Sequence, residues 1–271
     1  GDIFIHLYPD SPNKEKLWVL EAGTEEWRLF DEYDFTYDLD YILSVDRKLF
    51  FVTTRGIQYL YNFGEPWHDY NDGLDMMPLR EVCIPDGFIM LAATFSGNIL
   101  RTTDGGKSWY DCTPGGKYMN GDYPISEFEI IDHRIFVGTK RGIAYSDDMG
   151  ATWEFSVDDR GYKIPIYYLF DIAKDKNNNL YTFSSQMIYI SEDNGATFEP
   201  IWEEEFEYSV FGLKYGEPAG KDKIYFGSKN GLYSLDDNNQ PVLEDFEGKE
   251  IYLGGCHQAV DFFCILPDED N

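Results

Sequence analysis

One pattern recurs along the chain at a nearly fixed spacing. The segments TRGIQYLYNFGEPW, SGNILRTTDGGKSW, KRGIAYSDDMGATW, SQMIYISEDNGATF and KNGLYSLDDNNQPV end at Trp67, Trp109, Trp153, Phe198 and Val242, spacings of 42, 44, 45 and 44 residues. A worn sixth copy, LEAGTEEW, ends at Trp27. A period in this range belongs to propellers and to solenoid arrays, whose units cannot bury an apolar face alone and must stack on their neighbours.

The residues inside each unit decide between the two. A short β-branched or aromatic run precedes each segment: LFFVTT (49–54), IMLAATF (89–95), IFVGTK (135–140), LYTFSS (180–185) and IYFGSK (224–229). Another strand-like run precedes these, as in REVCI (80–84), SEFEII (126–131) and YYLFDIA (167–173), with Gly, Asn or Ser at the turns. No segment carries a 3.6-residue apolar stripe, which disfavours helical repeats. Aromatic residues make up 17% of the chain, and broad flat side chains suit a pleated surface.

The expected fold is therefore all-β, a single β-propeller domain over residues 1–271 built from four-stranded antiparallel blades. Six blades are expected, with seven the alternative. The N-terminal copy offers only three strands, IFIHLY, KLWVLEA and EWRLF, while EIYLGG and DFFCIL follow the last repeat. Strands from both chain ends are expected to complete one blade and close the ring, which would leave no open edge.

Charge narrows the partners. With 22 basic and 50 acidic residues the net charge is −28, a field that repels nucleic-acid phosphates and anionic headgroups. No apolar run approaches the length of a membrane span, and the start GDIFIHLYP lacks the pattern of a leader. Cys83, Cys112, Cys256 and Cys264 lack C-x-x-C spacing; free thiols are expected, with a Cys256–Cys264 bridge as the exception.

Three segments carry a sharper motif: Thr102, Asp104, Gly106, Ser108, Trp109; Ser146, Asp148, Gly150, Thr152, Trp153; and Ser191, Asp193, Gly195, Thr197, Phe198. This S-x-D-x-G-x-T-W pattern resembles the Asp-box, or BNR repeat, of sialidases and many other β-propellers. The resemblance implies a hairpin joining the outer two strands of a blade, away from the ligand face. Asp accepts backbone N–H groups there and Gly supplies positive φ. The three aspartates are thus expected to close turns. The outer copies depart from the pattern: Asn62 and Asp237 stand near the Asp position, and Asn239 replaces Gly.

Binding residues are expected on the longer links, 31–40, 68–79, 110–125 and 156–167, where a propeller carries variable loops. Tyr70, Asp72, Asp75, Tyr118, Asn120, Asp122, Tyr123, Arg160, Tyr162 and Lys163 are the candidates. Aromatic rings stack on apolar sugar faces, while carboxylates accept hydroxyl hydrogen bonds. YKIP (162–165) is similar to the sialidase Y/F-R-I-P motif, but Lys163 replaces its arginine. The eight arginines show no converging triad, and Arg55 and Arg141 occupy equivalent turns.

Other chemistries find less support. His6, His68, His133 and His257 are scattered, so no transition-metal set is expected. DKNNN (175–179) has the oxygen alternation of a calcium loop, but Leu180 and Gln186 stand where Gly and Glu are needed, and a plain hairpin turn explains it. No cofactor is expected. The expected function is a monomeric, non-catalytic module that binds a glycan or protein partner. By family resemblance the setting is extracytoplasmic: secreted, periplasmic or cell-surface. The alternative is a glycoside hydrolase with a carboxylate pair in the central funnel.

Overall fold

Where the computed structural model describes them, the β-branched and aromatic runs form strands. The structure describes residues 3–7, 15–20, 26–33, 39–45, 48–53, 56–60, 68–69, 74, 79–86, 88–116, 128–139, 141–164, 171–184, 187–203, 210–216, 223–228 and 231–244. There is no helix among the described residues, and none therefore long and apolar enough to cross a membrane.

The first sheet has three strands in sequence order, β1 (Ile3–Leu7), β2 (Glu15–Leu20) and β3 (Trp27–Tyr33). Five four-stranded sheets follow, each with consecutive strands as neighbours. They are β4 (Leu39–Val45) to β7 (His68–Asp69) through β5 (Lys48–Thr53) and β6 (Gly56–Leu60), then β8 (Leu79–Asp86), β9 (Ile89–Thr94), β10 (Ile99–Thr102) and β11 (Tyr110–Asp111). Next come β12 (Phe128–Ile131), β13 (Arg134–Thr139), β14 (Gly142–Ser146) and β15 (Glu154–Phe155), then β16 (Ile172–Lys174), β17 (Leu180–Phe183), β18 (Met187–Ser191) and β19 (Glu199–Glu203). The last sheet holds β20 (Val210–Gly216), β21 (Lys223–Ser228), β22 (Gly231–Leu235) and β23 (Pro241–Leu243). Every described strand register is antiparallel. The C-terminal runs EIYLGG and DFFCIL, expected to close the ring, lie outside the described residues.

The chain forms two compact units, Gly1–Phe95 with Thr102–Tyr110, and Ser96–Arg101 with Asp111–Asn271. In the first, consecutive residues Phe50, Phe51 and Val52 of β5 are all buried. Side chains alternate across a strand, so burial of neighbours means that both faces of the sheet are covered. Strand β14 of the second unit is likewise buried along its whole length.

Two apolar clusters fill the second unit. Phe136, Ile143, Tyr145, Ile164, Ile172, Leu180, Tyr189 and Phe198 join the β12–β15 and β16–β19 sheets. Ala173, Tyr181, Phe183, Ile188, Leu213, Ile224, Phe226 and Leu235 join β16–β19 to β20–β23. Each fully buried Phe, Ile or Leu contributes roughly 1.5–3 kcal/mol by leaving water, so these faces hold the stack together. Cys83 is buried and Cys112 half-buried, both as thiols; Cys256 and Cys264 lie outside the described residues.

Turn chemistry fixes the registers. Ile131 pairs with Arg134 across a two-residue turn in which Asp132 and His133 both have positive φ, 49° and 72°. That is the hairpin geometry whose twist matches the flanking strands. Three five-residue turns share another design, led by Asp158, Asp175 and Asp236. In each the Asp N–H donates to the carbonyl four residues on, and the fourth residue, Gly161, Asn178 or Asn239, donates back with positive φ. The last of these corrects the reading by repeat alignment: Asp236, not Asp237, accepts the backbone N–H groups of Asn238 and Gln240. Asn239 takes the left-handed conformation at φ 58°, as expected of an Asn in place of Gly.

Candidate functional site

The three motif hairpins, at β10–β11, β14–β15 and β18–β19, are wired alike. Asp148 accepts hydrogen bonds from the Ser146 hydroxyl (2.8 Å), the Thr152 N–H (2.8 Å) and the Thr152 hydroxyl (2.6 Å). Asp104 does so from Thr102 and Ser108, and Asp193 from Ser191 and Thr197. The first hydroxyl in turn accepts the N–H of Gly106, Gly150 or Gly195. Hydrogen bonds from Ser108 and Thr102 hold the Asp104 carboxyl down at about 2. Burial works to raise Asp148 and Asp193, but hydroxyl and backbone donors outweigh it and both end below the usual carboxylate range. A carboxylate held ionised by its own turn is unsuited to delivering a proton.

The second and third of these hairpins are also held by arginines of the second unit. Arg101 Nε donates to the Met149 carbonyl (2.8 Å), and Arg134 Nη1 to the Asn194 carbonyl (2.7 Å), the same position of successive motifs. Arg134 also makes a forked pair with Asp147 and lies 4.2 Å from the Tyr145 ring centre. The Ser156 hydroxyl donates to the Gly195 carbonyl, and Val157 exchanges hydrogen bonds with Ala196 and Phe198. The sequence had shown no shared pattern for Arg101 and Arg134; their common target is a main-chain oxygen, which leaves no trace in residue type.

The opposite end of the β12–β15 sheet carries a different surface. The turn from Asp158 to Tyr162 closes with the Asp158 N–H on the Tyr162 carbonyl (2.7 Å). The Asp158 carboxylate accepts the N–H groups of Tyr162 (2.7 Å) and Arg160 (3.0 Å) and the Arg160 guanidinium (3.1 and 3.2 Å). Those donors, the Tyr162 amide foremost, hold it below its ordinary range. Arg160 also lies 5.9 Å from the Tyr162 ring centre, whose side chain is 68% exposed.

Directly after this turn, Lys163 pairs with Val157 and sets its ammonium 3.3 Å from the Phe155 ring centre. Ile164 is buried and anchors the loop. Gly142, at φ 118°, permits the approach: a Cβ there would come 3.1 Å from the Ile164 carbonyl and from Lys163 Cβ. Arg141, next to Gly142, donates to the Gly115 carbonyl. Burial, and then the charge of Arg141, lower the Lys163 ammonium from its ordinary range.

Of the sequence candidates, Arg160, Tyr162 and Lys163 therefore meet in one loop. Tyr70, Asp72, Asp75, Tyr118, Asn120, Asp122 and Tyr123 lie outside the described residues. Arg141, Phe155 and Gly115 join the site without having been singled out as binding residues. The one available signal was the recurrence of Arg before Gly in TTRG and TKRG.

A polar cleft of about 350 Å³ lies between the β16–β19 and β20–β23 sheets, where the Asp175 and Asp236 turns meet. Asp175 spends one oxygen on the Asn177 and Asn179 N–H groups and the other on the Asn179 amide and the Tyr181 hydroxyl, so DKNNN is wired as a hairpin turn.

No protein-family model and no curated protein matches the chain. Solved structures do. An ancestral GH74 enzyme is 14% identical with a TM-score of 0.55, over 87% of this chain. YCF48 bound to D1 peptide is 15% identical (TM-score 0.50), over 85% of this chain and 69% of its own. BamB from Moraxella catarrhalis is also 15% identical (TM-score 0.51), over 86% of this chain and 70% of its own. The fold is a β-propeller. The chain spans 37% of the length of the GH74 enzyme, and identities this low carry the architecture alone.

Proposed function

We propose that the chain is a single-domain, non-catalytic Asp-box β-propeller that binds a glycan through the surface formed by Arg160, Tyr162, Lys163, Phe155 and Arg141. The observation that carries this reading is the exposed Tyr162 ring beside Arg160, on a turn whose backbone is fixed by Asp158. A rigid aromatic face flanked by polar donors costs little entropy to present, and that favours recognition of a sugar ring. The motif aspartates are spent on their turns, and Asp158 is spent on Arg160 and Tyr162; this supports binding over acid–base work. The extracytoplasmic setting follows from the Asp-box resemblance.

A protein partner is the second reading, favoured by the similarity in fold to YCF48, a propeller seen bound to a peptide. The deciding experiment exposes the purified protein to a broad glycan array and examines bound oligosaccharides for cleavage products. Binding without cleavage is the expected result. Cleavage would establish the hydrolase alternative, and an array without signal would transfer the function to a protein partner.

A further inference from the structure

We propose that the polar cleft between the β16–β19 and β20–β23 sheets binds a linear aliphatic polyamine, one molecule for each chain. The inference goes beyond the glycan reading and does not depend on it.

The cleft itself has the dimensions of a ligand site. It encloses about 350 Å³, within the range of small-molecule pockets, and opens between two hairpin turns of the same design. Its two walls come from different sheets. Asp175 and Glu192 stand on hairpins of the β16–β19 sheet, and Asp236 and Asp237 on the β22–β23 hairpin. Ile224 and Leu235, buried, and Ile190, half-buried, also line it, so the lining passes from exposed Glu192 and Asp237 to hydrocarbon.

The hydrogen bonds show which carboxylates are available. Asp175 uses both oxygens on its own turn and on Tyr181. Asp236 uses one oxygen, for the N–H groups of Asn238 and Gln240, and keeps the other. Glu192 and Asp237 accept no hydrogen bond among the described residues. Two ammonium groups share the lining. Lys223 donates to Ser234 and to Glu244, which neutralises it, and Lys176 is exposed. Four carboxylates against two cations leave the lining negative, inside the field of a chain of net charge −28. A cation is drawn in and an anion repelled.

The distribution of those carboxylates selects the kind of cation. Calcium takes roughly six to eight oxygens around one centre. No three acidic, His or Cys side chains converge in that way among the described residues. Carboxylates divided between two walls suit ammonium groups that are themselves separated. Each ammonium brings three donors, and the methylenes between them lie along apolar surface as a lysine stem does. Ile190, Ile224 and Leu235 supply that surface.

Calorimetric titration of the whole chain with spermidine tests this. One saturable site for each chain is expected. Glu192→Gln and Asp237→Asn should each weaken it about tenfold, the scale of one hydrogen bond between charged groups. Glu26→Gln removes the same charge from an exposed position in the first unit and should leave the affinity unchanged. Calcium and 1,4-butanediol should not displace the amine. Absence of binding, several equivalent weak sites, or equal weakening by Glu26→Gln and Glu192→Gln overturns the site, leaving only the counterion atmosphere of an acidic chain. Displacement by calcium at concentrations comparable to spermidine overturns the organic ligand in favour of a metal. Tighter, Glu192-dependent binding of hexalysine overturns the polyamine in favour of a basic protein segment.

Discussion

At the scale of single residues, the chemistry of aspartate is mostly turn chemistry. Removing the Asp148 carboxylate strips acceptors from the Thr152 N–H and from two hydroxyls. Asp148→Ala should destabilise the fold by about 1–2 kcal/mol, read as a lower denaturant midpoint, because water satisfies part of the loss at an exposed turn. The pH dependence has a definite sign. A carboxyl depressed in the folded state contributes stability that is fully present above its unfolded value and is lost as pH falls through its folded value. For Asp104 that window runs from 3.8 down to about 2. Asp104→Asn should therefore flatten the melting temperature against pH between those values, measured by scanning calorimetry. These aspartates were legible in the sequence because serine, aspartate, glycine and threonine at fixed spacing encode a local hydrogen-bond pattern. Asp236 was not, since repeat alignment favoured Asp237 while the turn that formed copies the one led by Asp175. Local wiring overrode the register of the repeat.

At the scale of elements, the motif hairpins are held by a glycine that packs on a ring and by arginines that reach their carbonyls. A Cβ on Gly195 would come 2.5 Å from the Phe136 ring, at a φ of +84° that side chains resist. Gly195→Ala should cost about 2–4 kcal/mol, overpacking and a left-handed backbone together. Gly161 has φ +82° but open space around it, so Gly161→Ala should cost only about 1–2 kcal/mol. Chemical denaturation of the two variants separates steric crowding from backbone strain; equal losses would mean that Gly195 does not meet Phe136 in solution. Strands and hairpins were readable from composition, as LFFVTT becoming β5 and IFVGTK becoming β13 illustrate. The fastening of Met149 and Asn194 by Arg101 and Arg134 was not, because it spans 48 and 60 residues and ends on backbone oxygens.

At the scale of the whole molecule, architecture was far more legible than ligand. Period, strand runs and turn residues pointed to a propeller, and the solved structures share it at 14–15% identity. The loop surface was half legible. Tyr162, Arg160 and Lys163 stand out by type and placement, whereas Phe155 and Arg141 reach the same place from a strand and a hairpin that the linear sequence keeps apart. Pairing a binding variant with a stability variant isolates the central claim that the loop surface recognises a glycan while the motif hairpins only build the fold. Oligosaccharides retained on the array would be titrated against wild type, Tyr162→Ala and Asp148→Ala, with melting temperatures taken in parallel. The account predicts a loss of about tenfold or more in affinity for Tyr162→Ala at unchanged melting temperature, and the reverse for Asp148→Ala. Wild-type affinity in Tyr162→Ala, or lost affinity in a folded Asp148→Ala, would contradict it.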